Sequence, residues 1–264
     1  MKLLLVDGSN LVMRAAFGGD IEPKFAVPTA TGLIRRAMQL TAASHLVVAL
    51  DTPGEPSWRK QLLPTYKAHR TLDTGRWLTA AHAEWTRRGW CVEDCVGFEA
   101  DDVIATLALR AKDRAEVIVC SSDSDLLQLT AEGFAVLRPM NGGKFETWHA
   151  AEVCAKYQLQ HAGQLRDLKA LMGESGDNIP GVPGIGPVKA AKLLTAHKDF
   201  ASLLTACFNP GATDKDLQKV AQHLATVQLA LRLVSLRDDV PLLPLKPSAC
   251  AYADRTLFSN HQPD

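Results

Sequence analysis

This 264-residue chain has no net charge and lacks the features that define several specialised classes of protein. Its six cysteines are scattered, and no Cys-x-x-Cys pair or Cys/His cluster has the spacing of a zinc site. No apolar run reaches the roughly 18 residues of a membrane span, and the run before Asp7 is too short for a signal peptide. We therefore expect a cytoplasmic globular protein with reduced cysteines.

The zero net charge conceals an uneven distribution. Residues 58–90 contain seven Lys or Arg against two Asp or Glu, whereas residues 93–125 contain nine acidic residues against three basic ones. An acidic pocket beside basic surfaces suits a nuclease that binds metal ions and the phosphates of a nucleic acid. The neutral total therefore does not exclude a nucleic-acid substrate.

Acidic residues stand at the ends of short apolar runs. Three continuous runs rich in Val, Leu or Ile lead into Asp7, Asp51 and Asp123. Such runs are typical of strands buried on both faces of a parallel sheet. In an open parallel sheet, ligands bind beyond the carboxyl ends of the strands. The three carboxylates are therefore predicted to share one crevice.

The order of patterns along the chain predicts an α/β core followed by a helical region. Helical patterns alternate with the apolar runs in the first half, which favours βαβ units and a mostly parallel sheet. These helical patterns cover 31–43, 102–113 and 125–130, and a further short strand is predicted at 134–139. From about residue 150 the pattern is helical, at 149–159, 164–173 and 214–236.

Further carboxylates extend the acidic set. Glu99, Asp101 and Asp102 precede or open a predicted helix, and Asp125 follows Asp123 by two residues. The helix dipole stabilises acidic residues in a first turn by roughly 0.3–1 kcal/mol each, which accounts for one or two of them as caps. Three carboxylates within four residues repel one another. Ligation of Mg²⁺ or Mn²⁺, hard cations that prefer oxygen, is the better interpretation of the whole set.

A glycine hairpin follows the acidic segments. Gly184 and Gly186 flank Ile185, and Lys189 and Lys192 lie one turn apart on the helix that follows. Glycines let the backbone approach a phosphate, the helix N-terminus offers free N–H groups, and lysines add positive charge. The pattern predicts a contact with a nucleic-acid backbone that does not depend on sequence. A plain hairpin between two helices is the alternative.

The basic stretch allows two interpretations. It contains Arg59, Tyr66, Lys67 and Arg70, and most such runs are simply solvated surfaces. An aromatic residue among basic ones also allows stacking on unpaired bases, worth ~1–3 kcal/mol per base.

Six segments carry a family resemblance. They are LLLVDGSNL, VVALD, SWRKQLLPTYKAHR, GFEADDVIATLA, SSDSDLLQL and GESGDNIPGVPGIGPVKAAKLL. Their order and spacing resemble the bacterial and phage 5′-nuclease (flap endonuclease) family over about residues 1–240. The resemblance implies a PIN-like α/β core at 1–165, whose mostly parallel central sheet is flanked by helices and which includes a helical arch at about 55–88. It also implies a helical region at 166–264 with a helix–three-turn–helix element at about 173–197.

The resemblance implies two metal sites, each for one Mg²⁺ or Mn²⁺ ion. The residues implied for the first are Asp7, Asp51, Glu99, Asp101 and Asp102. Those implied for the second are Asp123, Asp125, Asp177 and Glu174. Relatives usually carry Asp where this chain has Glu174. The extra methylene displaces the carboxylate, so the resemblance does not fix the geometry of the second site.

The resemblance also implies contacts with DNA. In the arch, Lys67 and Arg70 would grip the scissile phosphate, Tyr66 would stack on an unpaired nucleotide, and Arg59 would contact the entering strand. The glycine hairpin, with Gly184, Gly186, Lys189 and Lys192, would hold the duplex, with K⁺ bound by loop carbonyls.

The implied activity is hydrolysis of phosphodiester bonds at 5′ flaps or 5′ ends beside duplex DNA, by a monomer that does not bind membranes. One alternative is a flap-DNA-binding protein with weak or no catalysis, which only Glu174 favours. A second is a PIN-like ribonuclease, against which the glycine hairpin counts. A third is a phosphatase with Asp7 as its nucleophile. That chemistry would require a second Asp at position 9, where the chain has Ser9.

Overall fold

The computed structural model describes residues 1–16, 21–70, 73–197, 199–209 and 213–252. The predicted arch includes positions 71 and 72, and the predicted helical region runs to the chain end, so parts of both lie outside the described residues.

Six strands form one sheet in the order β3-β2-β1-β4-β5-β6. They are β1 (Lys2–Asp7), β2 (His45–Ala49), β3 (Cys91–Glu93), β4 (Glu116–Cys120), β5 (Ala135–Pro139) and β6 (Phe145–Trp148). The first five pair in parallel, and β6 runs antiparallel to β5. The mostly parallel sheet is therefore confirmed. β3 and β6 were not predicted because they are short and carry little of the apolar pattern that marks the other strands.

Helices cover both faces of the sheet. They are α1 (Gly8–Ala16), α2 (Pro23–Thr41), α3 (Trp58–Leu62), α4 (Gly75–Arg87), α5 (Ala100–Ala111), α6 (Ala150–Tyr157), α7 (Gln164–Met172), α8 (Pro187–Ala196), α9 (Phe200–Cys207), α10 (Lys215–Gln222), α11 (Leu224–Val234) and α12 (Pro247–Cys250). Short 3-10 segments lie at Asp125–Glu132, Asn141–Gly143 and Ser175–Asp177. In the described part of the chain, no helix is long and apolar enough to cross a membrane.

The two faces of the sheet contact separate apolar layers. Leu3 and Leu5 of β1 belong to the layer that includes α5, whereas Leu4 and Val6 belong to the layer formed by α1, α2 and α4. The α4 helix lies within the predicted arch, yet its Trp85 is fully buried in the second layer. Burial on both faces explains why these strands have continuous apolar runs.

The helical region differs in one respect from the prediction. The pattern at 214–236 predicts a single helix, but the structure divides it into α10 and α11 at His223, where φ is −111° and ψ is 25°. The imidazole Nδ1 of His223 lies 3.0 Å from the Lys219 carbonyl oxygen. In addition, the predicted helix at 125–130 is a 3-10 segment, and α1, α9 and α12 were not predicted.

Gly8 opens α1 directly after β1, where a larger residue does not fit. A Cβ atom there would lie 2.6 Å from Val48 Cγ1, 2.8 Å from Trp85 Cζ3 and 2.9 Å from the Ala49 oxygen. This close approach places the N-terminus of α1 against β2 and fixes the position of Asp7 at the sheet edge.

Replacing Gly8 by Ala is expected to lower the free energy of unfolding by about 1–3 kcal/mol, because the added methyl group overpacks the core. Gly32 provides the matched control, since a Cβ there meets nothing within 4 Å. Gly32→Ala in the exposed face of α2 is expected to raise stability by up to about 1 kcal/mol through helix propensity. Urea denaturation measures both, and equal stability of Gly8→Ala and the wild type would contradict this packing.

Candidate metal centre and nucleic-acid interface

Most of the predicted carboxylates line one crevice at the carboxyl ends of the strands. The crevice has a volume of about 1070 Å³. The predicted carboxylates in its lining are Asp7, Asp51, Glu99, Asp101, Asp123 and Asp125, and Glu55, which was not predicted, also lines it. Asp102, Glu174 and Asp177 are not in its lining.

Asp7 is buried at the centre of this group. Its carboxylate accepts hydrogen bonds from the Asn10 N–H at 2.9 Å and the Ser121 hydroxyl at 2.8 Å. Burial nevertheless raises the pKa of Asp7 to about 7, and the negative charges of Asp123 and Asp51 contribute to the rise. The Asp7 anion is therefore insufficiently stabilised by the protein alone.

The pKa values of three further carboxylates are also raised. Desolvation raises the pKa of Asp51, and the charge of Glu99 adds to it. Desolvation also raises the pKa of Asp101, more than the nearby Arg59 lowers it. Asp123 is open to solvent on one side, yet the surrounding protein and the charge of Asp125 raise its pKa as well. The crevice thus holds more negative charge than its side chains neutralise.

The donor set of the crevice fits hard divalent cations. Its predicted ligands are all carboxylates, and oxygen ligands are those that Mg²⁺ and Mn²⁺ prefer. Among the described residues, no three His, Cys, Asp or Glu side chains converge closely enough to hold an ion between them. Ammonium and guanidinium groups lie beside several of the carboxylates instead. A bound cation would supply positive charge to Asp7, Asp51 and Asp123, and would add to that of Arg59 at Asp101.

Arg59 and Asp102 form a buried ion pair, which differs from both predicted roles. The Arg59 Nη1 and Nη2 atoms lie 2.9 and 2.8 Å from the two Asp102 oxygens, and its Nε donates to the Leu233 oxygen at 2.8 Å. Asp102 also accepts from Trp58 Nε1 and from the Arg237 N–H. Arg59 therefore has no free donor for a DNA strand, and Asp102 has no free lone pair for a metal ion.

Tyr66 also departs from its predicted role. Its side chain is 3% exposed and belongs to a small apolar cluster with Ala170 and Ile179. The hydroxyl lies 3.0 Å from Glu99 Oε2 and 3.3 Å from Asp177 Oδ2. Because the ring is enclosed, it offers no face for a nucleotide to stack on. Tyr66 instead holds two of the predicted metal ligands in position.

Lys67 and Arg70 line the crevice, as a phosphate contact requires. Lys67 adopts a left-handed conformation with φ of 50°, and its backbone N–H donates to the backbone carbonyl oxygen of Asp177 at 3.0 Å. This turn places Lys67 Nζ 2.7 Å from Glu99 Oε2. Arg70 forms an ion pair with Asp177 and donates to the Gly176 oxygen at 3.0 Å.

The charge of Glu99 is well compensated, unlike that of Asp7. Burial alone would raise the pKa of Glu99, but the positive charges of Lys67 and Arg59 lower it to about 2. Burial of Lys67 opposes its charge, but Glu99 raises the pKa of Lys67 above its usual value. Both groups are therefore charged at neutral pH.

Lys169 is a buried cation beside the predicted second metal site, and no motif in the sequence pointed to it. Its side chain is 3% exposed, pairs with Asp125 and lies 3.4 Å from Glu174 Oε2 and 2.8 Å from Ser124 Oγ. The sequence feature that could have revealed its burial is the position of this lysine within the apolar stripe of α7, beside the buried Leu168. A lysine at such a position requires a buried anionic partner.

The glycine hairpin presents exposed lysines to solvent. Gly184 is left-handed with φ of 78°, and Gly186 immediately precedes α8. Lys189 and Lys192 are exposed on α8, and Lys189 Nζ pairs with Asp216 Oδ1 at 2.9 Å. Lys219 of α10, which was not predicted, joins this surface and lies 3.6 Å from the same Asp216 oxygen.

Comparison with known proteins identifies the family. The model of the 5′-3′ exonuclease N-terminal resolvase-like domain matches residues 2–158, and that of the 5′-3′ exonuclease C-terminal SAM fold matches residues 160–256. The chain belongs to the 5′-3′ exonuclease family. The resemblance inferred from the six motifs is thereby confirmed.

Individual members of this 5′-3′ exonuclease family match along nearly their whole length. The flap endonuclease Xni of Aeromonas hydrophila is 37% identical over 254 residues, which cover 91% of this chain and 92% of the relative. The 5′-3′ exonuclease of Streptomyces coelicolor is 32% identical over an alignment of 265 residues. This alignment covers 90% of this chain and 87% of the relative.

Solved structures confirm the PIN-like fold with its helical C-terminal region. The T5 5′-exonuclease with bound zinc superposes with a TM-score of 0.76 at 22% identity and covers 89% of each chain. The T5 D15 flap endonuclease, in a pseudo-enzyme-product complex with DNA and metal ions, gives a TM-score of 0.75 at 22% identity and covers 89% of each chain.

Replacing Arg59 by Met is expected to lower the free energy of unfolding by about 3–5 kcal/mol, because Asp102 would remain buried without its partner. Lys60→Met, on the same helix but exposed, is the control and should change stability by less than about 0.5 kcal/mol. Chemical denaturation distinguishes the two variants. If the Arg59→Met protein were folded, as stable as the wild type and weaker in DNA binding, the prediction that Arg59 contacts the DNA strand would be supported instead.

Replacing Asp7 by Asn is expected to stabilise the metal-free protein at pH 8. The folded-state pKa of Asp7 is about 7, above the ordinary value of 3.8, so the wild type loses stability as pH rises between these values. The variant should gain about 2–4 kcal/mol at pH 8 and progressively less toward pH 4.

Thermal unfolding in EDTA measures this difference between Asp7→Asn and the wild type. Asp113→Asn, which replaces an exposed carboxylate outside the crevice, is the matched control. Saturating Mg²⁺ should stabilise the wild type more than the Asn variant, because ligands stabilise the state that binds them. The gain in melting temperature of Asp7→Asn over the wild type should be larger at pH 8 than at pH 5. A smaller gain at pH 8 would contradict a raised pKa of Asp7.

Proposed function

We propose that this protein is a structure-specific 5′-nuclease that hydrolyses phosphodiester bonds at 5′ flaps or 5′ ends of duplex DNA with the help of divalent cations. The observation that carries the proposal is the crevice in which incompletely neutralised carboxylates lie beside Lys67 and Arg70. Relatives named flap endonuclease and 5′-3′ exonuclease support the same reaction.

The carboxylates divide into two groups of candidate ligands. Asp7, Asp51, Asp101 and Glu99 would form the first site, and the second would use Asp123, Asp125, Glu174 and Asp177. When bound, Mg²⁺ or Mn²⁺ would activate a water molecule as the nucleophile and neutralise charge on the phosphoryl group. Asp102 is left out of the first group because its lone pairs are occupied.

Lys67 and Arg70 would act on the substrate phosphate. Their cationic groups lie at the crevice, where they now pair with Glu99 and Asp177. A phosphate that enters the crevice would compete for these donors. Both cations would then stabilise the negative charge that develops on the phosphoryl oxygens in the transition state. Tyr66 would keep Glu99 and Asp177 oriented while these partners exchange.

The two sites would differ in their demand for a cation. Lys169 already supplies one positive charge between Asp125 and Glu174. Among the residues that the structure describes, no ammonium group pairs with Asp7, whose pKa is raised. We therefore expect the first site to bind a divalent ion more tightly than the second. Glu174, which stands where relatives usually carry Asp, belongs to this second site, where Lys169 already balances part of the negative charge.

The hairpin surface would hold the duplex part of the substrate. Lys189 and Lys192 are exposed on the helix that follows the glycine turn, and Lys219 Nζ lies beside Gly184. The exposed glycines allow close approach of a phosphate backbone. This contact selects a duplex by charge and shape, and the crevice then receives its 5′ end. A K⁺ ion at the hairpin carbonyls stays a prediction.

Replacing Asp101 by Ala is expected to reduce single-turnover cleavage of a 5′-labelled flap duplex at least about 100-fold, because a direct ligand matters at least as much as its outer partners. Binding of the flap duplex in EDTA should change by less than about 3-fold, since the lysine surface is intact. Asp113→Ala is the matched control and should cleave like the wild type.

Two outcomes of the flap experiment would contradict the proposal. Near-wild-type cleavage by Asp101→Ala would refute the metal assignment. Tight flap binding by the wild type without cleavage in Mg²⁺ or Mn²⁺ would favour the alternative of a binding protein, and Glu174→Asp would test whether the second site is the cause.

Replacing both Lys189 and Lys192 by Ala is expected to weaken duplex binding and to reduce its salt dependence. Each lost phosphate contact should lower the slope of log K against log salt by about 0.9. Lys112→Ala is the control, because Lys112 pairs with Glu132 at the far end of α5. Fluorescence anisotropy at several salt concentrations measures the slopes, and an unchanged slope in the double variant would exclude the hairpin contact.

A further inference from the structure

Two cysteines that are distant in sequence meet at the edge of the sheet. The Sγ atoms of Cys91 and Cys250 lie 3.4 Å apart. Cys91 opens β3 and is half-buried, whereas Cys250 ends α12 and is 5% exposed. This contact is independent of the carboxylate crevice and of the proposed nuclease activity.

Strand register explains the meeting. β3 pairs with β2 from Cys91, which lies opposite Val47. Ala251 forms an antiparallel bridge with His45, two residues earlier on β2. The C-terminal segment therefore occupies the same edge of β2 just before β3 begins. That arrangement brings Cys250 against the first residue of β3.

The C-terminal segment, residues 247–252, also contacts the sheet through Tyr252. Beyond the bridge at Ala251, the backbone N–H of Tyr252 donates to the backbone carbonyl oxygen of Ser44 at 3.0 Å. The Tyr252 ring lies 5.9 Å from the Trp90 ring, centroid to centroid. A covalent link between Cys91 and Cys250 would add to these non-covalent contacts.

We propose that Cys91 and Cys250 form a reversible disulfide that fastens the C-terminal segment to the sheet under oxidising conditions. A disulfide has an S–S distance of about 2.0 Å, so the two sulfurs need only a small further approach. The small disulfide of oxidised glutathione is a suitable oxidant, and Cys91 is the thiol that it can reach from solvent.

The exchange balances in two steps. The Cys91 thiolate, its proton released to solvent, attacks one sulfur of the oxidant; a protein–glutathione disulfide forms and one glutathione thiolate leaves. The Cys250 thiolate then attacks Cys91 Sγ, which forms the intramolecular disulfide and releases the second glutathione thiolate. Two protein thiols are oxidised, and one disulfide of the oxidant is reduced to two thiols, which take up the two protons. Dithiothreitol reverses the reaction.

The test is to treat the full-length folded protein with oxidised glutathione, alkylate its free thiols, digest it without reductant and identify the linked peptides by mass spectrometry. The expected product joins the peptides that contain Cys91 and Cys250. Cys91→Ser and Cys250→Ser should each abolish it. Cys154→Ser, which changes a half-buried cysteine on α6, should retain it.

Thermal unfolding provides the second readout. Oxidation should raise the melting temperature of the wild type by roughly 4–15 °C, because the link closes a long loop, and dithiothreitol should reverse the shift. Glutathione adducts without the Cys91–Cys250 peptide, or links spread over other cysteine pairs, would overturn the proposal. The linked peptide without any thermal shift would overturn the fastening role.

Discussion

Repulsion among the carboxylates at the strand ends is the constraint on which the rest of the site depends. Parallel strands bring Asp7 and Asp51 to one edge, and the segments that follow β3 and β4 add Glu99, Asp101 and Asp123. Such a group is costly in a folded protein, because like charges with little access to water raise one another's pKa. We propose that the protein retains this cost because a divalent cation binds there, since strongly shifted pKa values cluster at functional sites.

The remaining charges limit that cost without removing it. Arg59 neutralises Asp102 inside the protein, Lys67 neutralises Glu99, and Lys169 lies between Asp125 and Glu174. Each basic partner comes from a different element, and Arg59 also joins α3 to the end of α11 through Leu233. The same contacts that balance the charge therefore attach the helical region to the core. Stability and the electrostatics of the site are linked in this way.

Sequence patterns predicted the strand-end carboxylates well but not the fate of individual side chains. A run such as that before Asp7 reveals a buried strand from local order alone. The burial of Arg59 and Tyr66 depends instead on contacts with Leu233 and Ile179, far along the chain. A basic or aromatic residue looks alike in sequence whether it faces DNA or an internal carboxylate. Motif resemblance therefore located the segments of the site more reliably than the roles within them.

The most direct test is a crystal structure of the protein grown with Mn²⁺, in which anomalous scattering locates the ions. We predict a fully occupied ion bound by oxygens of Asp7 and neighbouring carboxylates of the first group, with weaker occupancy beside Asp125 and Glu174. Asp102 should remain paired with Arg59 and contact no ion. Absence of manganese from the crevice at saturating concentration, or an ion bound to Asp102 with Arg59 displaced, would contradict the account.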